Sequence, residues 1–277
     1  MKTSICFVSS TRADYSLLLP SIKECLSRKS KGVKTSVIVT GSHTIKSQGE
    51  TINHFKKDKI PISYSFKILD KTDSKGVKDN FKKSFDGFFA AYEKIKPDVV
   101  VLLGDRYEIF CAAVTAHMKG IKVVHLHGGE LTLGAYDDAY RHSITKFSYL
   151  HFTASKNYRK RVIQLGENPR KVFNVGPLAR ESISHVKFLK KSELEKRLKL
   201  KLKQNVILAT FHPEIGSEEK NKQNLMNFIN VLGELENVSV LFTSPNLDFL
   251  GNEVKKLLKE KIRAVSYTHL TLPTSLI

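Results

Sequence analysis

The chain contains no tryptophan, only three cysteines, and 27 acidic residues against 46 lysines and arginines over its 277 positions. Each shortage excludes something. Cys6, Cys25 and Cys111 are odd in number, far apart and set in apolar surroundings, so they read as reduced thiols rather than as a disulfide frame or a zinc site. The expected compartment is therefore a reducing one, the cytoplasm. No apolar run approaches the roughly 20 residues that cross a bilayer, and the opening MKTSICFVSSTRADY lacks a signal-peptide cleavage pattern. No membrane partner is expected. Neither GxGxxG nor GxxxxGK[ST] occurs, which removes the dinucleotide fingerprint and the P-loop, and no HExxH or CxxC spacing offers a tight set of metal ligands. No cofactor is expected.

The shortage of acid leaves a formal charge of +19, which invites a nucleic-acid reading. Much of the excess lies in HFKKDK, KFLKKSELEKRLKLKLK and KKLLKEKIR, where lysine alternates with glutamate at the spacing of solvated helix faces. There is no zinc-knuckle spacing, no basic-aromatic stacking motif and no helix-turn-helix signature. A nucleic-acid partner is not expected, and the surplus positive charge would instead attract a small anionic substrate.

What is present is a regular alternation. The runs SICFVSS, KTSVIVTG, ISYSFKIL, DVVVLLGD, KVVHLHGG, LHFTAS and VFNVG are β-branched and apolar, and stretches with helical spacing such as YSLLLPSIKECLSR separate them. This pattern predicts an α/β fold, a parallel sheet covered on both faces. A doubly wound lobe is expected over residues 1–180. From 181 to 264 a second, partial α/β lobe is expected: NVILATFHPE, NLMNFINVLGEL and VSVLFTSP repeat the strand and helix pattern. The ending VSYTHLTLPT matches a translated transposase adapter, so 265–277 is expected to be a non-native tail, with a Thr-rich strand as the alternative.

In parallel sheets ligands lie beyond the carboxyl ends of the strands. Four strand ends carry polar groups: Arg12 in SSTRADY, His43 in TGSH, Asp105, Arg106 and Glu108 in GDRYE, and HLHGGELTLGAYDDAYRHSITK from 125 to 146. In the last of these, alternation predicts His125 and His127 on one face of a strand. Gly128, Gly129 and Glu130 follow, and then Asp137 and Asp138 at a helix start, spaced i,i+4 from Arg141 and His142. Gathered carboxylates shift one another's pKa values, which makes a general acid and a general base available. A metal site on His125, His127 and Glu130 competes with that reading, as does a purely structural polar network. Arg12 and Arg106 are candidates for guanidinium contacts to phosphate.

Taken together, SSTRADYSLL, VTGSH, LLGDRYE, HGGE with DDAYRHSITK, and TFHPE resemble the UDP-N-acetylglucosamine 2-epimerases, in particular the hydrolysing branch that makes manno sugars for sialic-acid-like nonulosonates. The resemblance runs from residue 1 to about 264. It implies two Rossmann-like lobes of the glycosyltransferase-B kind, the second incomplete here, a UDP-sugar between them, and a homodimer or homotetramer. The implied reaction eliminates UDP across C1 and C2 to a glycal, then adds water with the opposite C2 configuration. Proton transfer would fall to Asp105 and Asp137 with Glu130 close by. His212 would assist the departing UDP, Arg12 would hold its pyrophosphate, and His43, Arg106, Asp138 and Arg141 would contact substrate. Where other members have HxEGG this chain has HLHGG, which leaves the proton-transfer role between His127 and Glu130. The family's phosphate-gripping glycine and serine segment is missing, so the 277-residue chain is expected to bind UDP-sugar weakly. A non-hydrolysing epimerase, a glycosyltransferase on the same fold and a non-catalytic nucleotide-sugar or nucleic-acid binder are the rivals. Free UDP release, acceptor dependence and salt-sensitive nucleic-acid retention separate them.

Overall fold

The computed structural model describes residues 2–46, 50–68, 74–184, 186–211, 218–243 and 270–272. Two compact units divide the chain, Met1–Val186 and Lys187–Ile277.

The first unit is a seven-stranded sheet in the order β3-β2-β1-β4-β5-β6-β7. Its strands are β1 (Thr3–Ser9), β2 (Val33–Val39), β3 (Tyr64–Ser65), β4 (Val99–Leu103), β5 (Lys122–Leu126), β6 (Leu150–Thr153) and β7 (Val172–Asn174), and every pairing is parallel. All seven runs identified in the sequence form strands, although ISYSFKIL contributes only the two residues of β3 at the sheet edge. The helices between them are α1 (Arg12–Ser27), α2 (Asn53–Lys57), α3 (Ser74–Ile95), α4 (Tyr107–Met118), α5 (Asp137–Phe147) and α6 (Lys156–Gln164), with α7 (Leu178–Ser184) after β7.

Strand alternation builds two cores. Cys6, Val8, Ile38, Val100, Leu102 and Val123 face α3, α4 and α5. Their chain neighbours Phe7, Val37, Val39, Val101 and Leu103 face α1 and Phe55. Each such side chain contributes roughly 1.5–3 kcal/mol when it leaves water, so the register of the sheet is fixed from both sides. Cys6 and Cys111 are buried and free, and burial pushes both thiols up to about 12.

Helix α1 contains Pro20, which has no N–H to give to the carbonyl of Ser16, four residues earlier. Ser182 Oγ of α7 donates to that carbonyl at 2.9 Å. The breaker in α1 thus creates an acceptor that α7 uses. Both helices lie within the first unit, Met1–Val186.

The second unit contains α8 (Lys191–Leu198), β8 (Asn205–Ala209), α9 (Glu218–Gly233), β9 (Val238–Thr243) and β10 (Leu270–Leu272), with sheet order β10-β9-β8. Leu225, Ile229 and Leu232 of α9 bury against Ala209, Val240 and Phe242. Within the stretch 265–277, for which a Thr-rich strand was the alternative expectation, Leu270–Leu272 form β10, parallel to β9 with Leu270 opposite Leu241. Among the described residues no helix is long and apolar enough to cross a membrane.

Candidate active site

The chain reverses direction across the sheet between β1 and β4, the switch point of a doubly wound fold, beyond whose strand ends such folds place their ligands. The helices that start there, α1 and α4, bring Asp14 near enough to Glu108 to raise its carboxyl further.

On the β1 side, Thr11 caps α1. Its hydroxyl accepts from Asp14 N at 3.2 Å, and Asp14 Oδ2 accepts from Thr11 N at 2.9 Å, Ser10 N at 3.1 Å and Ser10 Oγ at 2.7 Å. The cap satisfies the Asp14 amide, and the amides of Arg12 and Ala13 belong to the first turn, which has no intrahelical acceptor for them. Arg12 is the first helical residue, half-buried, with no carboxylate partner among the described residues. Burial lowers its pKa.

On the β4 and β5 side, Arg141 of α5 is the hub. It is 4% exposed. Its Nη2 donates to Asp105 Oδ2 just after β4 and, at 3.0 Å, to Thr132 Oγ1. Its Nη1 donates to Asp138 Oδ1 at 2.7 Å and to the Glu130 carbonyl at 2.8 Å. Asp138 Oδ1 also accepts from Thr132 N at 3.0 Å, and its Oδ2 lies 3.6 Å from His142 Nε2. The i,i+4 pairing of Asp138 with His142 forms, whereas the carboxylates that meet Arg141 are Asp138, at i,i+3, and Asp105. The acidic groups therefore converge on a guanidinium between them. Asp137, at the first turn of α5, is exposed.

Several expectations change here. His125 and His127 do not share a face. β5 ends at Leu126, and His127 adopts φ +64°, which breaks the two-residue alternation. His125 is fully buried: Nε2 donates to Gly104 O at 2.9 Å and Nδ1 lies 3.1 Å from Thr145 Oγ1. Burial pulls its pKa down to about 3, and it stays neutral. His127 turns the other way. Its Nε2 accepts from Leu178 N at 3.2 Å, so the ring hydrogen sits on Nδ1, 3.1 Å from Glu130 Oε1. Both nitrogens are engaged, and the histidine holds Glu130. A left-handed non-glycine residue costs on the order of 1–3 kcal/mol and marks a place where geometry outweighs comfort. The competing metal trio does not assemble, since His125 is bonded to Gly104 and Thr145 while His127 pairs with Glu130, and among the described residues no group of three or more His, Cys, Asp or Glu side chains suits a metal.

His43, expected to contact substrate, is fully buried with both nitrogens occupied, by Ser9 Oγ at 2.9 Å and Thr51 Oγ1 at 2.7 Å. Asp138 and Arg141, for which the same role was expected, are bonded to each other, and Arg141 also to Asp105, Thr132 and the Glu130 carbonyl. Glu108 is buried rather than on the rim, and burial raises its pKa although Arg106 Nε, 3.3 Å away, opposes that. Arg106 keeps a 39% exposed side chain. His212 lies outside the described residues. Thr132, Thr145 and the Leu178 amide were not identified from sequence; only Thr145, one helical turn beyond Arg141, had a readable signal.

The turn that holds Glu130 depends on glycine. Gly129 has φ +82°, and a Cβ there would meet Tyr158 O at 2.4 Å. A Cβ on Gly128 would meet His125 Nδ1 at 2.9 Å.

A family model described as UDP-N-acetylglucosamine 2-epimerase matches residues 26–275. The chain belongs to the UDP-N-acetylglucosamine 2-epimerase family. Within the family it is 38% identical over 263 residues to a Campylobacter jejuni protein named GDP/UDP-N,N'-diacetylbacillosamine 2-epimerase (hydrolyzing), covering 93% of this chain and 67% of that one. A Legionella pneumophila protein named UDP-N,N'-diacetylbacillosamine 2-epimerase (hydrolyzing) is 30% identical over 263 residues, covering 95% and 69%. Among solved structures, the Staphylococcus aureus MnaA-UDP co-structure matches with a TM-score of 0.80 at 18% identity, over 100% of this chain and 70% of that one. That likeness establishes the α/β fold of this epimerase family member.

Proposed function

We propose that the chain is a hydrolysing UDP-sugar 2-epimerase that converts a UDP-linked 2-acetamido sugar and water to UDP and the free manno sugar. The observation that carries this reading is the convergence of Asp105, Asp138 and the Glu130 backbone on Arg141 at the ends of β4 and β5. The names of the Campylobacter and Legionella relatives support hydrolysis and favour UDP-N,N'-diacetylbacillosamine over UDP-N-acetylglucosamine as substrate. A Neisseria meningitidis relative named simply UDP-N-acetylglucosamine 2-epimerase is less similar, at 26% identity. The manno product would supply a sialic- or legionaminic-type acid in the cytoplasm, and we infer a homo-oligomer.

In this reading a carboxylate takes the C2 proton, the C1–O bond to UDP breaks, and the electron pair forms the C1–C2 double bond. Water then adds its oxygen to C1, its proton passing to a carboxylate, and a second group gives a proton to C2 from the opposite face. We assign these transfers to Asp105, Glu130 and Asp137. His127 serves by holding Glu130, since its lone pair is already given to Leu178 N–H. Arg12, a guanidinium with no carboxylate partner at the start of α1, would grip the pyrophosphate. His212 would protonate the departing UDP.

A UDP-release assay tests the assignment. Asp105→Asn and Glu130→Gln should each lower kcat by about 10²–10⁴ with little change in KM, the contribution expected of a positioned acid or base. Wild-type rates in both variants would reject it.

A further inference from the structure

His43 belongs to a hydrogen-bond chain that ends at the cap of α1, and one set of proton positions satisfies all of it. Ser9 Oγ lies 3.3 Å from Thr11 O, to which it donates its single proton. It must then accept from His43 Nε2, 2.9 Å away, so the ring hydrogen is on Nε2. Nδ1 in turn accepts from the Thr51 hydroxyl at 2.7 Å. The polarity runs one way, from Thr51 through His43 and Ser9 to the Thr11 carbonyl.

This chain needs a neutral ring, and burial supplies it by pulling the His43 pKa down to about 4. The ring cannot swing out toward a ligand. Phe55 stands edge-on to it at 5.1 Å and Tyr15 at 6.3 Å, and the Tyr15 hydroxyl is itself tied to Asp58 at 2.7 Å. The neighbouring loop presses on the same turn: Gly41, at φ +61°, leaves no room for a Cβ, which would lie 2.4 Å from Ser10 O, and Ser42 Oγ donates to that oxygen at 3.2 Å.

We propose that His43 is a positioning residue for the anion-binding end of α1: its Nε2–H to Ser9 fixes the Ser9–Thr11 turn that aims Arg12 and the first helical amides at the pyrophosphate. The inference rests on the reading of Arg12 as the pyrophosphate group, and the variants below keep the two separable. Asparagine at position 43 places its amide near Nδ1 and cannot reach Ser9, whereas glutamine places an N–H near Nε2.

The test is the affinity of the chain for UDP, followed by NMR up to millimolar concentrations, with thermal unfolding recorded for each variant. Arg12→Ala should lose about tenfold or more in affinity. His43→Asn and Ser9→Ala should each lose about three- to tenfold, the value of one hydrogen bond. His43→Gln should remain within about twofold of wild type, although both His43 variants melt earlier. Ser9→Ala removes one oxygen only and covers the case in which His43→Asn fails to fold. If Ser9→Ala binds UDP as wild type does while Arg12→Ala does not, the positioning role is wrong and the anion site stands. If Arg12→Ala binds as tightly as wild type, or wild type binds no UDP, the pyrophosphate reading falls and this proposal falls with it.

Discussion

The buried histidines His43 and His125 are neutral because burial outweighs the groups that would charge them, with pKa values near 4 and 3. The sign of their effect on stability follows from the unfolded chain, where histidine titrates near 6.5. Above that pH both states are neutral and nothing is gained or lost. As pH falls from 6.5 toward 4 the unfolded chain takes up protons that the fold refuses, so stability declines, by roughly 6 kcal/mol for the two residues together at pH 4. Urea unfolding at pH 7, 5.5 and 4 should show this slope, and His43→Gln should remove about half of it; a flat profile would contradict the assignment of both rings as buried and neutral. At this scale the sequence was legible only in part. Asp105, Glu130 and Arg12 could be placed at strand ends from their neighbours. The fates of His43, Asp138, Arg141 and Glu108 could not, because whether a polar side chain at a strand end faces solvent or turns inward depends on partners such as Ser9, Thr51 and Thr132 that carry no motif.

Among the elements, α1 and α7 are joined through a defect, the carbonyl that Pro20 leaves open and Ser182 fills. Ser182→Ala should cost about 0.5–1.5 kcal/mol in the natural background. In a Pro20→Ala background residue 20 can donate to Ser16 O itself, so the same change should cost less; a double-mutant cycle by denaturant unfolding measures the difference. Additive effects would mean that the two residues do not share that carbonyl. The β5–α5 connection makes a second demand. Gly129→Ala meets the Tyr158 carbonyl and a left-handed backbone together, and should destabilise by more than about 2 kcal/mol while displacing Glu130. The glycine pair was visible in the sequence. What it accommodates, the close approach of α6, was not, because Tyr158 is far from it along the chain.

For the molecule as a whole, the order of apolar runs and amphipathic stretches was sufficient to read a parallel α/β sheet, because a strand covered on both faces must be apolar along its whole length. What the order of runs did not show is where one element bonds to another distant in the chain: Ser182 of α7 to α1, and Leu270–Leu272 to β9. The chain spans about two thirds of its relatives' length, and the central claim concerns the chemistry those relatives' names describe. Proton exchange at C2 is the feature that separates that chemistry from simple hydrolysis and from binding alone. We would therefore follow UDP-N,N'-diacetylbacillosamine, and then UDP-N-acetylglucosamine, by proton NMR in D2O with the protein present. The account predicts free UDP together with a manno sugar deuterated at C2. Both sugar nucleotides remaining intact and unlabelled, or UDP released with the gluco configuration and the C2 proton retained, would contradict it.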